Sequence, residues 1–345
     1  SRKSIRLSDD NEVLNCSYFK TDLDIIKILP YVFDNVWAEY TINSAEQIIE
    51  LRLNEKNDIS LYLYCLKNLQ VLTIVSSNLI HVPIEIRNLK QLIRLTLYYN
   101  YDLVSVPDEI GELKSLIQLN IYASPKLLSL PHGFKQLSNI EQMSITYCGF
   151  KQIPKAITGL IGLRSLDLRY NKITSIPYEM KRLRSLTDLN LSGNLFKSLD
   201  GFTRLKNHSR PIDQINSTVN PQDISTDTRF TTLLPYKLTL LNSLSRLDMS
   251  NNPHLTDLTG VGIFQNLKFL QVWNSSIREI PKDIVKLSST LEFLNLNDNQ
   301  LTDVPQELTQ MSKLETLYVR DNRFSNETLV KIKLMFKGTN ITVAC

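Results

Sequence analysis

The sequence predicts an α/β fold, a right-handed, horseshoe-shaped solenoid whose short parallel strands line the concave side. Two observations lead to this prediction. Residues 163–196 contain the pattern LxxLxLxxNx followed by an apolar residue twice, at an interval of 23 residues. Between copies an apolar residue is followed by proline, as in Val106-Pro107 and Ile176-Pro177. Alternate apolar residues form a strand with one buried face, and a unit this short buries that face only by stacking on its neighbours.

The pattern occurs ten times in register. Its first apolar residues are separated by 23 or 24 residues, with one gap of 58. They are Leu69, Leu92, Leu116, Ile140, Leu163, Leu186, Leu244, Leu267, Leu291 and Leu314. Proline fixes φ and lacks an N–H donor, so the apolar-proline phrase marks the turns between strands. Ten copies at this spacing predict one elongated body rather than several globular domains.

The ends of the array are predicted to be capped, because a stack of repeats otherwise exposes its core. Residues 1–47 comprise a polar, flexible start and a helical N-terminal cap over Thr21–Tyr40, which Pro30 divides. A helix pair that binds a membrane or a partner is the alternative for this segment. The repeats occupy residues 48–325. Residues 326–345 form the C-terminal cap, a helix from Asn326 to Phe336 followed by a short strand.

The gap of 58 residues corresponds to an interruption at residues 200–243. Ile212, Ile215 and Asn220 weakly follow the repeat pattern, so a degenerate repeat is one interpretation. The segment also contains three prolines and a polar run, which favour an insertion that leaves the array. Long insertions of this kind are usually functional or disordered. Both interpretations stay open at the level of sequence.

Composition excludes several classes of function. The net charge of +4 and the isoelectric point of about 8.7 are too small to indicate nucleic-acid binding. No apolar run is long enough for a membrane span, so no stable membrane insertion is expected. The four cysteines are scattered, without the clusters that close the ends of many extracellular arrays. This spacing favours a reducing compartment and a cytoplasmic location.

The sequence offers no candidate residue for catalysis, for a metal or for a cofactor. The four histidines lie in different repeats and lack the spacing of metal ligands. No nucleophile-elbow, P-loop or dinucleotide-binding motif occurs in a suitable context. We therefore expect no enzymatic activity in this chain. Cys148 occupies the asparagine position of its repeat, where a structural role is expected.

The candidate binding site comes from the residues that alternate with the buried leucines. Their side chains point away from the core, onto the concave face. Five tyrosines and an arginine fall there in the second to fifth repeats: Tyr98, Tyr99, Tyr122, Tyr147, Tyr170 and Arg169. A second group falls in the last three repeats: Phe269, Trp273, Phe293, Tyr318 and Arg320. Small and polar residues separate the two groups.

Exposed Tyr, Trp and Arg are enriched where proteins bind one another, because they bury large areas with little loss of conformational freedom. The competing interpretation is structural, since aromatic residues favour strands and stack on their neighbours along a sheet. We predict a protein or peptide partner on the concave face of a monomeric protein. A carbohydrate that stacks on the rings is the alternative ligand.

Residues 69–325 resemble the leucine-rich repeat superfamily, in the 23-residue type LPxxIxxLxxLxxLxLxxNxLxxIP. The phrase VPDEIGEL at residues 106–113 matches that consensus closely. The resemblance implies an intracellular recognition protein, similar to Ras-type signalling scaffolds or to the repeat domains of secreted bacterial effectors, which act in the host cytoplasm. The helical cap and cysteine-poor ends look most like the effector group. In some effectors such repeats select a host protein for an attached ubiquitin ligase. The C-x-D nucleophile motif of one such ligase family is absent from this sequence.

Overall fold

The computed structural model describes residues 14–28, 38–54, 59–199 and 241–345. In these residues thirteen strands form one sheet, and each strand pairs with the next in sequence. The predicted α/β solenoid is confirmed. The strands are β1 (Ala38–Ile42), β2 (Ile48–Asn54), β3 (Val71–Val75), β4 (Arg94–Tyr98), β5 (Gln118–Tyr122), β6 (Gln142–Thr146), β7 (Ser165–Asp167), β8 (Asp188–Asn190), β9 (Arg246–Asp248), β10 (Phe269–Gln271), β11 (Phe293–Asn295), β12 (Thr316–Tyr318) and β13 (Thr342–Ala344).

The alternation of side chains fixes the register of the sheet. In β5, Leu119 and Ile121 are buried, while Gln118 and Asn120 lie on the opposite, accessible face. Leu119 pairs with Leu95 of the preceding strand. A slip of one residue would expose every core leucine, so the buried face determines the pairing. All neighbouring strands are parallel except β1, which runs antiparallel to β2.

Short 3-10 helices return the chain on the side of the core opposite the sheet. They span Leu61–Cys65, Ile84–Asn88, Asp108–Glu112, His132–Gln136, Ile157–Gly159, Tyr178–Arg182, Val261–Ile263, Lys282–Leu287 and Gln306–Gln310. Six of them begin directly after a proline. Proline fits there because the first N–H of a helix has no intrahelical partner. The apolar-proline phrase therefore marks the turns, as predicted.

Asparagine side chains close the turn after the strand in six of the ten repeats. In six repeats the amide nitrogen at the consensus position donates to backbone carbonyl groups of its own and the preceding repeat: Asn100, Asn171, Asn194, Asn252, Asn299 and Asn322. The turn leaves these carbonyl groups without a strand partner, and a buried carbonyl without a hydrogen bond is costly. The asparagine therefore replaces hydrogen bonds that the strand would otherwise supply.

The strands on either side of the long interval pair directly with each other, Leu189 of β8 with Leu247 of β9. Asn252 joins the two repeats further. Its amide nitrogen donates to the Leu191 carbonyl at 3.2 Å, and its oxygen accepts the Phe196 N–H at 3.1 Å. The segment predicted as an insertion or a degenerate repeat, residues 200–243, lies almost entirely outside the described residues.

The N-terminal cap is only partly helical. Helix α1 (Asp22–Ile28) starts at the predicted residue, since the Asp24 N–H donates to the Thr21 hydroxyl at 3.2 Å. The prediction of helix as far as Tyr40 is wrong, because Tyr40 lies in β1. The residues of β1 pair with the otherwise open edge of β2, and an unpaired sheet edge is a liability that such a strand removes.

A disulfide between Cys16 and Cys65 ties the 3-10 helix at the start of the cap, Cys16–Tyr18, to the 3-10 helix Leu61–Cys65. Two neighbouring contacts support it: the Phe19 and Tyr62 rings meet edge to face at 5.2 Å, and the Asp22 carboxylate accepts the Ile48 N–H at 2.8 Å. The spacing of the cysteines in the sequence did not predict this disulfide.

The C-terminal cap follows the prediction closely. Helix α2 (Asn326–Met335) is capped by the Ser325 hydroxyl, which accepts the Thr328 N–H at 3.1 Å. Strand β13 then pairs with β12 and completes the sheet. Among the described residues, no helix has the length and apolarity needed to span a bilayer.

Cys16→Ser is expected to lower the free energy of unfolding of the cap by about 2–4 kcal/mol, because the bond closes a loop of 49 residues. Denaturant titration with and without a thiol reductant measures this. The reductant should lower the midpoint of the wild-type protein and leave that of Cys16→Ser unchanged. Cys345→Ser is the control and should behave as the wild type. Identical wild-type midpoints with and without reductant would contradict the role of the bond.

Asn252→Ala is expected to cost about 3 kcal/mol or more, because it leaves several buried backbone groups unpaired at once. Asn139→Ala is the matched control, since the Asn139 amide makes one exposed hydrogen bond to the Lys114 carbonyl. Denaturant midpoints of the two variants measure the difference. Equal losses would show that the asparagine turns contribute little to stability.

Candidate functional site

The strands place two of the predicted tyrosines on the concave face. Tyr98 ends β4 and Tyr122 ends β5, and the two residues pair in register. Their rings meet edge to face, with centroids 5.9 Å apart. Both side chains point away from the core because they alternate with the buried leucines of their strands. These positions agree with the prediction.

The other three predicted tyrosines lie one residue further along, at the rim where the chain turns away from the sheet. Tyr99, Tyr147 and Tyr170 have φ angles of 57°, 53° and 53°, in the left-handed region. The same position in the other repeats also has positive φ and holds Ser76, Ala123, Gly193, Asn251, Asn274, Asp298 and Asp321. Sequence analysis placed both tyrosine columns on the concave sheet. The structure divides them between the sheet and its rim.

The rings form one continuous group, here called the tyrosine ladder: Tyr98, Tyr99, Tyr101, Tyr122, Tyr147 and Tyr170. Ring centroids lie 5.1 Å apart for Tyr99 and Tyr122 and 5.1 Å apart for Tyr122 and Tyr147. Tyr147 and Tyr170 stack at 4.3 Å with their planes 18° apart. The ladder therefore crosses four successive repeats and joins the concave face to the rim.

Tyr101 belongs to this group although sequence analysis did not select it. Its ring centroid lies 6.2 Å from that of Tyr99, and its side chain is 57% exposed. The signal in the sequence was the extra residue of the 24-residue copies, which places Tyr101 just after the turn.

Gly193 ends the ladder. A Cβ atom on Gly193 would lie 2.4 Å from Cδ1 of Tyr170, so only glycine leaves room for the ring. Gly193 itself has a φ angle of 65°, which glycine adopts without strain. Beyond it the rim position is occupied by asparagine and aspartate, and the ladder stops.

Left-handed backbone is unfavourable for a bulky residue, and each such tyrosine costs about 1 kcal/mol or more relative to glycine. Asparagine, aspartate and glycine tolerate this conformation best, and they fill the position from the sixth repeat onward. Contacts between aromatic rings return about 0.5–1.5 kcal/mol per pair. The three rim tyrosines make five such contacts, so the stabilisation from stacking is of the same order as the backbone strain. About 40% of each rim tyrosine stays exposed.

The ladder also changes the chemistry of its phenols. Desolvation raises the pKa of Tyr122, and the neighbouring Tyr99 raises it further. Desolvation also raises the pKa of Tyr147, and the neighbouring Tyr170 raises it further. Arg169 lies beside both rings, and its guanidinium pairs with the Asp167 carboxylate at 2.8 Å. The Tyr122 and Tyr147 phenols thus stay neutral at physiological pH and offer hydroxyl groups beside the Arg169 cation.

The second predicted group also forms a contact cluster. The Phe293 ring lies 6.1 Å from Phe269 and 5.5 Å from Tyr318, between centroids. The Arg246 guanidinium lies 4.3 Å above the Phe269 ring. Trp273 is exposed beyond the end of β10, where its backbone N–H donates to the Ser250 hydroxyl at 3.2 Å.

Arg320 follows β12 at the same position as Trp273 in its own repeat. Its backbone N–H donates to the Asn297 side-chain oxygen at 2.7 Å, and its side chain is exposed. The structure therefore brings the three rings together and leaves Trp273 and Arg320 along the margin of the same face.

A shallow polar hollow of about 270 Å³ separates the two aromatic groups. Three carboxylates on neighbouring strands line it, those of Asp167, Asp188 and Asp248. Each has an internal partner: Asp188 pairs with Arg246 at 3.6 Å, and Asp248 accepts the Asn190 amide at 3.3 Å. The described residues contain no group of three or more histidine, cysteine or acidic side chains arranged to hold a metal ion.

Cys148 lies in the turn beneath the ladder, buried from solvent, and its thiol donates to the Thr146 carbonyl at 3.5 Å. Burial raises the pKa of this thiol to about 12. The thiolate is the reactive form of cysteine. The arrangement therefore supports the structural role predicted for Cys148.

We expect Cys148 to resist alkylation in the folded protein at pH 8, because almost none of it is ionised there. Half-buried Cys345 is the internal control and should be labelled under the same conditions. Peptide mass mapping after a timed iodoacetamide pulse distinguishes the two sites. Labelling of Cys148 as fast as Cys345 without denaturant would contradict its burial.

Comparison with known proteins supports the repeat assignment. The leucine-rich repeat family model matches residues 152–196 and 265–324. Leucine-rich repeat and IQ domain-containing protein 4 of Mus musculus is 34% identical over 89 residues, which are 26% of this chain and 15% of that protein. Receptor-like protein 35 of Arabidopsis thaliana is 28% identical over 207 residues, which are 51% of this chain and 21% of that protein.

A solved structure shares the fold over most of the chain. It belongs to the octameric complex of latrophilin 3, Unc5D and the leucine-rich repeats of FLRT2. The match covers 86% of this chain and 82% of that chain, with a TM-score of 0.59 and 18% identity. Similarity at this level concerns the fold. The matched curated relatives are much longer than the region they share with this chain.

Proposed function

We propose that this leucine-rich-repeat chain is a non-catalytic recognition module that binds a partner protein through the tyrosine ladder. Leucine-rich repeats generally serve protein–protein interaction, and the matched family is a repeat family rather than an enzyme family. The ladder presents several exposed rings, hydroxyl groups and the Arg169 guanidinium on one face. These are the groups that dominate binding energy at protein interfaces.

One observation carries the proposal. Tyr99, Tyr147 and Tyr170 occupy left-handed positions where later repeats hold asparagine, aspartate or glycine. Strained positions of this kind persist where function requires the side chain. A purely structural ladder would not need rings at the most expensive position of the repeat. The rim tyrosines are better explained as contacts to another molecule.

The second cluster, formed by Phe269, Phe293 and Tyr318, is proposed as a separate anchor on the concave face, with Trp273 and Arg320 at its margin. Because this cluster lies several repeats from the tyrosine ladder, the two together favour an extended partner over a small ligand. A carbohydrate remains the alternative occupant for the stacked rings, and a monomer remains the proposed state of the free protein.

Two observations bear on location and point in opposite directions. The ends of the array lack cysteine clusters, which favours the cytoplasm and the effector role implied by the sequence resemblance. The Cys16–Cys65 disulfide is typical of an oxidising compartment. We propose a cytoplasmic location and the effector role, and fractionation of cells that make the protein tests both.

A second candidate function is substrate selection for a larger enzyme, such as a ubiquitin ligase, or a role as a Ras-type scaffold. The observation that favours it is the greater length of the relatives, of which the matched regions cover 15% and 21%. Recovery of the full reading frame tests it. An enzyme domain in the same reading frame would support substrate selection. A full reading frame without an enzyme domain would reject it.

Replacing Tyr147 and Tyr170 with asparagine is expected to abolish capture of the partner while changing the free energy of unfolding by less than about 1 kcal/mol. The relief of left-handed strain offsets the lost ring stacking. Affinity purification with chemical cross-linking, followed by mass spectrometry, identifies proteins captured by the wild type. Denaturant titration of the same variants measures stability.

The matched control replaces Asn274 and Asp298 with alanine, at the same rim position of later repeats. It should retain the captured proteins. A partner that survives in the tyrosine variant at wild-type recovery would reject the ladder as the binding surface. The concave pair Tyr98→Ala with Tyr122→Ala then shows whether the sheet side contributes, since its loss should also abolish capture.

A further inference from the structure

A row of exposed side chains runs along the rim beside the tyrosine ladder, three or four residues past the consensus asparagine position of each of the first six repeats. In the first three repeats it is aliphatic, with Ile80, Val104 and Leu128 exposed to 53%, 43% and 64%. The repeats are in register here, because the Val104 N–H donates to the Ile80 carbonyl at 2.8 Å. Large aliphatic side chains so exposed in consecutive repeats mark a contact surface rather than chance.

The aliphatic part of the row lies beside the tyrosine ladder. The Leu128 side chain reaches the next repeat, where its Cδ2 lies 2.4 Å from the position that a Cβ on Gly149 would take, and Gly149 is two residues past Tyr147. Tyr101 contacts Tyr99 and precedes Val104 by three residues. The aliphatic row and the ladder therefore share the second and third repeats.

In the next three repeats the same position becomes polar and basic. It holds Lys151, Thr174 and Lys197, all exposed, and Lys172 lies exposed beside it at the turn. No ion pair involves these three lysines in the part of the chain that the structure describes. Residues 147–152, 170–175 and 193–198 contain no aspartate or glutamate. The charge on this stretch of rim is therefore positive and uncompensated within it.

The aliphatic stretch, in contrast, carries no net charge. Its one charged pair, Asp102 with Lys126 at 2.6 Å, neutralises itself. The rim thus has an apolar half over the first repeats and a basic half over the middle repeats. A complementary partner needs an apolar half and an acidic half in the same order.

We propose that this rim binds an acidic amphipathic helix of a partner protein. The inference rests on the proposed function and specifies the chemistry of the partner. Neighbouring parallel strands lie about 4.8 Å apart, so successive rim residues recur at roughly that interval. A helix laid along the rim presents one side chain per turn at about 5.4 Å, close to that interval. Apolar residues of the helix contact Ile80, Val104, Leu128 and the rings, and its carboxylates pair with the lysines.

The test uses two synthetic helices of roughly 18 residues, about 27 Å long, which spans the six repeats. Each carries leucines on one face of its first half. One carries glutamates on the same face of the second half, and the other carries lysines there. Fluorescence anisotropy measures their binding to the whole protein. The glutamate helix is expected to bind at least about tenfold more tightly than the lysine helix, and more weakly as salt rises.

Lys151→Glu with Lys197→Glu should reverse this preference. The matched control is Arg278→Glu with Arg323→Glu, which changes the charge equally at the corresponding rim of later repeats. It should leave both affinities within about twofold of wild type. Leu128→Asn with Val104→Asn should weaken both helices alike. Circular dichroism and the denaturant midpoint of every variant verify that it is folded.

Several outcomes overturn the inference. These are failure of the glutamate helix to bind, equal binding of the two helices, and an equal effect of the control variant. The protein could instead bind phosphatidylserine vesicles tightly and fail to bind the glutamate helix. If the lysine reversal abolishes that vesicle binding, the basic half is a lipid-binding surface. The proposed function is judged separately. If the tyrosine variant loses its captured protein and the lysine variant keeps it, the function stands and the acidic helix is rejected.

Discussion

In every repeat the chain must turn away from the concave strand at the same point without leaving a buried backbone group unpaired. The stacking of the repeats depends on this turn. In each of the ten repeats one residue shortly after the strand adopts a left-handed conformation. Its N–H can still donate to the next strand, as Tyr99 does to the Tyr122 carbonyl at 2.9 Å. The following asparagine then supplies hydrogen bonds that the departing chain cannot make. In the repeats that have asparagine, the two residues together let the units stack with these backbone groups satisfied.

This turn also determines where function can be placed. The left-handed residue projects its side chain at the rim of the sheet, where packing of the core does not select its identity. Gly193 or Asn251 occupies the position comfortably, whereas Tyr147 occupies it at a cost. Each repeat can therefore carry either an unstrained residue or a large, strained side chain at this position. Three of the first five repeats carry a tyrosine there, whereas the last five carry glycine, asparagine or aspartate.

The features that could be predicted from the sequence are those that short, repeated residue patterns determine. Leu119 and Ile121 face the core because apolar residues alternate, and Asn252 serves the backbone because its position recurs. The sequence could not predict the pairing of Cys16 with Cys65, which are 49 residues apart and meet only through the fold of the cap. Nor could it separate Tyr98 from Tyr99, because the boundary between strand and left-handed turn is set by hydrogen bonds rather than by residue type.

The direct pairing of β8 with β9 has a structural consequence. Leu189 and Leu247 pair as neighbouring repeats do, although 58 residues separate them, and Asn252 bonds to the Leu191 carbonyl as the other asparagines bond to the preceding repeat. The described repeats on both sides of the interval therefore share one sheet and one core, and loss of either side would expose apolar surface of the other.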